Sequence, residues 1–132
     1  MAELLPDPEP RPELYTLISV DDHLVEPPWM FEGRLPAALQ SQAPRIVETP
    51  EGHEVWEFDG VQHTQVGLNA VAGRPKDDWS LEPARFDQIR PGCYQIDARI
   101  KDMDINGTWA SLNFPSAITG FVSAGRAASS RF

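Results

Sequence analysis

Residues Ile18 to Pro28 read I-S-V-D-D-H-L-V-E-P-P, and the rest of the chain is best read outward from them. The run that enters this stretch, Tyr15 to Val20, is apolar at Leu17, Ile18 and Val20, on both faces of an extended segment. That pattern predicts a first strand over 15–22, central in a parallel sheet and buried on both sides. Asp21, Asp22 and His23 follow at once, and Pro27 and Pro28 forbid the strand from continuing. Carboxylates and an imidazole at the end of a buried strand cost desolvation energy unless something compensates them. Residues two apart in a strand share a face, so Asp21 and His23 should project together and Asp22 opposite. A carboxylate beside an imidazole suits two ligands of one divalent cation, which would offset the desolvation. On spacing alone, the plainer reading is an Asp–His hydrogen bond or an exposed turn, because Asp-x-His is short and common.

Upstream, residues 1–14 alternate proline with charge and read as a flexible leader with little to bury. Downstream, Trp29–Phe31 and Leu35–Leu39 suggest short helical turns. Arg45–Thr49, Glu54–Asp59 and Gln62–Val66 then read as strands of an antiparallel meander, punctuated by Pro50–His53 and by Gly60. Trp56 and Phe58 fall on one face of the middle strand, suited to a small core of their own. Asn69–Asp78 reads as loop, and Ser80–Ile89 as a short helix. The helix with the clearest signal is Tyr94–Ile105: Ile96, Ile100 and Met103 recur at helical spacing, Asp97 faces Lys101, and Asn106-Gly107 supplies a stop. Thr108–Phe114 is a second apolar strand, ended by Pro115. Strand, long excursion, helix and strand make a βαβ unit with a parallel sheet. A lone unit of this kind leaves both sheet edges unpaired, and Gly120–Phe132 is small and polar with no further strand. The chain therefore reads as the front of something larger.

Composition narrows the partners. Eleven basic against 20 acidic residues give a net charge of −9, which disfavours nucleic acid and anionic membrane surfaces. No apolar run is long enough to span a bilayer, and the acidic start lacks the order of a signal peptide. The single cysteine, Cys93, cannot form an internal disulfide and reads as a small apolar core residue, which together with the rest suggests a cytoplasmic protein.

Four segments in order, I-S-V-D-D-H-L-V-E-P-P-W-M-F, W-E-F-D-G, D-A-R-I-K-D-M-D-I-N-G and S-L-N-F-P-S, resemble the amidohydrolase-related family. This branch of metal-dependent hydrolases includes aminocarboxymuconate semialdehyde decarboxylase and the resorcylate decarboxylases. The resemblance runs over about residues 15–121. It implies the N-terminal part of a (β/α)8 TIM-type barrel, here with the meander inserted at about 27–92, and a site at the C-terminal ends of the strands. It further implies that Asp21 and His23 bind a divalent metal, zinc first and manganese second. The first ligand is a carboxylate rather than the histidine of the best-known hydrolases, so hydrolysis and non-oxidative decarboxylation of a small carboxylated or cyclic substrate both stay open.

The family's remaining ligands and catalytic groups have no counterpart in this sequence and would lie C-terminal to it. The complete protein would be compatible with a homo-oligomer. Asn113 and Ser116, near the end of the second strand, are candidate substrate contacts. Asp22 should face the helical layer, and Glu26 reads as a turn or helix-start residue. Arg99, Asp102 and Asp104 read as structural, far from the strand mouth. His53 and His63 do not match the family's histidines by order and read as exposed strand residues. Trp29, Trp56, Phe58 and Trp79 supply apolar surface to the excursion. The rival class is a non-catalytic acidic α+β domain that uses this surface for binding or oligomerisation.

Overall fold

The computed structural model describes residues 3–9, 11–64, 66–67, 70–79 and 84–116. Within them the chain forms two sheets and one α-helix. Strand β1 (Leu17–His23) pairs in parallel with β5 (Thr108–Phe114), and α1 (Ile96–Asn106) directly precedes β5 and packs on it. Between β1 and α1 lies the expected meander, an antiparallel sheet of β2 (Arg45–Glu48), β3 (Glu54–Phe58) and β4 (Val61–His63) in that order. The fold is thus mixed α/β, with a two-stranded parallel sheet and a three-stranded antiparallel one; the described residues close no barrel.

Local chemistry explains the meander's turns. Asp59 and Gly60 both take positive φ, at 53° and 74°, as a two-residue Asp-Gly hairpin requires, and they join Phe58 to its partner Val61. Arg45 stands opposite Glu57, and their ion pair closes at 2.6 Å. Helix α1 starts two residues later than expected, because Tyr94 and Gln95 are drawn into the turn after Pro91–Cys93, each N–H bonding the Pro91 carbonyl. It ends at Gly107, whose left-handed backbone (φ 66°) turns its N–H back to Met103 and Asp104. Of the short helix expected over Ser80–Ile89, the described part holds only a 3-10 turn, Phe86–Gln88; Ser80–Pro83 lie outside the described residues, as do Gly120–Phe132.

The core does not sit where the first strand predicted it. Val25, Trp56, Val66, Phe86 and Ile89 are buried together, with Phe31, Ile46, Cys93 and Tyr94 packed against them. This core joins the meander to the segments after β1 and before α1. Val55 is buried on the other face of β3, so that strand is covered on both sides. Strand β1, expected to be covered on both faces, is instead open: Leu17 and Ile18 are half exposed and Val20 is 66% exposed. Nothing among the described residues covers the sheet face away from α1. The apolar stripe of α1 also misses the core, since Ile96 and Ile100 point to solvent. The helix turns Arg99 and Asp102 inward instead.

The leader is less free than its composition suggests. The Leu5 N–H bonds the Gly73 carbonyl at 2.7 Å, and Asp7 accepts from Arg90 at 2.7 Å. No helix among the described residues is long and apolar enough to cross a membrane.

Candidate functional site

The C-terminal ends of β1 and β5 gather the polar side chains of the parallel unit. Ser111 and Asn113, two apart in β5, turn toward α1 and meet Arg99 from the helix. Asp22 joins them. Its carboxylate accepts from the Arg99 Nη2 at 2.8 Å, from the Ser111 hydroxyl and from Ser19. These bonds, the Ser111 hydroxyl first, hold the Asp22 carboxyl below its ordinary value despite partial burial. Asp22 therefore faces the helical layer, as expected. Arg99, expected far from the strand mouth, is bonded directly to it.

On the opposite face, Asp21 and His23 stand side by side. The Asp21 Oδ1 and His23 Nε2 are 3.8 Å apart, with the side chains 83% and 58% exposed. The imidazole tilts against the Phe114 ring, centroids 5.9 Å apart. Carboxylate oxygen and imidazole nitrogen at this spacing fit two donors of one divalent cation, after closing by a few tenths of an ångström. They do not make a full set, because a catalytic zinc takes three protein ligands. No group of three or more His, Cys, Asp or Glu among the described residues is placed to hold a metal. His53 and His63 remain in the meander, away from the pair.

A cavity of about 690 Å³ opens at the same end of the strands, on the α1 side. Leu24, Trp29, Tyr94, Arg99, Asn113 and Phe114 help to line it. Asn113 thus reaches a space large enough for a small molecule, although its amide oxygen is engaged by Arg99 and Ser111. Asp21 and His23 do not line it; Phe114 both lines the cavity and stands against the imidazole.

Ser116 has a different position from a substrate contact. It is buried, and both its N–H and its hydroxyl donate to Glu26. Glu26 is itself buried, and in place of the expected turn or helix start its carboxylate ties the chain after β1 to the chain after β5. The backbone adds to this stitch, with the Leu24 N–H on the Phe114 carbonyl at the end of β5, while the Val25 N–H on the Cys93 carbonyl ties the same segment to the turn before α1. Sequence reasoning missed the Glu26–Ser116 pair; the only signal for it was a charged residue inside the apolar Leu24–Pro28 run. Cys93 is half buried against the core, and desolvation pushes its thiol up, as suits an inert packing residue.

The chain matches no protein-family model, and no curated protein matches it.

Proposed function

We propose that this chain is the N-terminal part of a metal-dependent enzyme of the amidohydrolase-related kind, a hydrolase or non-oxidative decarboxylase of small carboxylated or cyclic compounds. The observation that carries the reading is the Asp21–His23 pair, side by side at the C-terminal end of a parallel strand. The C-terminal ends of strands are where barrel enzymes assemble their sites. Asp21 and His23 would hold a divalent cation, zinc or manganese, together with ligands that this stretch does not supply. The bound cation would supply Lewis-acid activation of water or of a substrate carboxylate. The chain's own contribution is to present the two donors on one face, to set the imidazole beside Phe114, and to keep Asp22 engaged on the other face. The placement of β1, α1 and β5 is compatible with the opening unit of a (β/α)8 barrel.

The rival reading, an acidic α+β binding or oligomerisation domain, draws support from the position of the core. The excursion is packed and the parallel unit is not.

Calorimetric titration of the metal-stripped chain with zinc separates the two. Two donors should give a dissociation constant on the order of 10–100 µM, well short of a complete structural site. The signal should vanish in His23→Ala, and no turnover should accompany it. Equal heats from wild type and His23→Ala would remove the metal reading. Tight one-to-one binding lost in His23→Ala would show a complete site in this chain and overturn its reading as one part of a larger centre.

A further inference from the structure

After β1 the chain runs through Pro27 to Arg34, P-P-W-M-F-E-G-R, in a series of turns. The Met30 N–H bonds the Pro27 carbonyl at 2.9 Å, Glu32 bonds Trp29 at 3.1 Å and Arg34 bonds Phe31 at 3.4 Å. Phe31 pins these turns to the core, edge-on to Trp56 with ring centroids 5.8 Å apart. Trp29 and Arg34 of the same segment line the cavity at the strand ends. Trp29 meets Tyr94 edge-on at 6.1 Å, and Tyr94 meets the core residue Phe86 at 5.3 Å. The aromatic wall of the cavity is thus built directly on the core, and Phe114 adds a third ring to it. A volume of about 690 Å³ lies within the usual span of small-molecule pockets.

The charges offered to this space reduce to two. Four charged residues line it among those described: Glu26, Arg34, Asp97 and Arg99. Glu26 is buried and engaged by Ser116, and Arg99 is engaged by Asp22. Arg34 and Asp97 are exposed, and neither forms an ion pair among the described residues. One free cation and one free carboxylate therefore share a cavity walled by aromatic rings. A ligand with a single charge would satisfy one of them and face a like charge on the other. An anion would also be repelled by the net charge of −9, whereas a molecule with no net charge would not.

We propose that this cavity binds a small zwitterion with an aromatic body, of the aromatic amino-acid class. The Arg34 guanidinium takes the carboxylate, a pairing its planar fork suits, and Asp97 takes the ammonium. The ring of the ligand packs against Trp29 and Tyr94 in the edge-on manner those two already adopt. This site is separate from the Asp21–His23 pair, which does not line the cavity, and it stands whether or not that pair holds a cation.

The test is a nuclear magnetic resonance titration of the full chain with L-phenylalanine, read at the Trp29 indole N–H and the Asn113 side-chain amide. Both signals should shift, with a dissociation constant on the order of 0.1–1 mM. The single-charge analogues 3-phenylpropionate and phenethylamine should each bind at least about tenfold more weakly. Arg34→Gln should weaken phenylalanine and 3-phenylpropionate and spare phenethylamine; Asp97→Asn should weaken phenylalanine and phenethylamine and spare 3-phenylpropionate. Both positions are exposed, and unchanged meander signals confirm that each variant is folded. His23→Ala should bind phenylalanine as wild type does. An analogue that binds as well as phenylalanine overturns the zwitterion, and so does phenylalanine binding untouched by either charge variant. No response to any of the three probes overturns the site. Movement of the same two signals with protein concentration alone would give the cavity to a second copy of the chain and overturn it as well.

Discussion

Asp22 is the residue on which most of the parallel unit's polar chemistry converges. Its carboxyl is held below the ordinary value of 3.8 by Ser111, Ser19 and Arg99. The folded state thus binds the proton less readily than the unfolded chain, and the unfolded chain carries more protons between the two values. Stability from this group is complete above the ordinary value and lost as pH falls through the lower folded one. Asp22→Asn should therefore cost about 1.5–3 kcal/mol near neutrality, the usual range for a hydrogen bond to a charged group. It should also flatten the acid limb, so that urea midpoints of wild type and variant converge as pH is lowered from 5 to 2.5. Parallel curves over that range would assign the acid limb to other carboxylates.

At the scale of elements, α1 is joined to the chain before it by a close approach that only glycine permits. A Cβ on Gly92 would stand 1.9 Å from the Asp102 Oδ2. That carboxylate receives a two-pronged bond from Arg90, Nε and Nη2 at 2.8 and 2.7 Å, and Arg90 also holds Asp7 of the leader. Gly92→Ala must push Asp102 aside and break the fork, at an expected cost of about 2 kcal/mol in thermal or urea unfolding. The leader should then become more sensitive to protease around Asp7. Asp102→Asn, which weakens the same fork without steric conflict, should loosen the leader at a smaller cost. An unchanged cleavage pattern in both variants would mean that Asp7 contributes nothing to holding it.

For the whole molecule, the contrast is between a packed excursion and an open parallel unit. Ile18, Val20, Leu112 and Phe114 are exposed on strands whose outer edges have no partner among the described residues. Surfaces of this kind promote association, and the charge of −9 opposes it at low salt. Sedimentation velocity should show self-association that grows with protein concentration and strengthens between about 20 and 300 mM salt, where repulsion is screened. The double variant Val20→Lys, Leu112→Glu should suppress it. A monomer at all salts and concentrations would show that the open face is solvated without penalty.

Much of the element order was legible in residue order, because turns and periodicities are local. Pro27-Pro28, Asp59-Gly60 and Asn106-Gly107 mark breaks whatever surrounds them, and the parallel pairing of β1 with β5 through α1 follows from two apolar strands and a helix. The shared face of Asp21 and His23 needed only the two-residue period near the strand end. Burial was not legible. An apolar strand is buried only if another layer lies on it, and no local pattern states where that layer comes from. Leu17, Ile18 and Val20 therefore signalled a core strand and became surface, while Trp56 and Phe86, distant in sequence, made the core. Polar partnerships were hidden for the same reason. Arg99 meets Asp22 across 77 residues and Ser116 meets Glu26 across 90, and both pairs exist because the parallel pairing brings the two strand ends together.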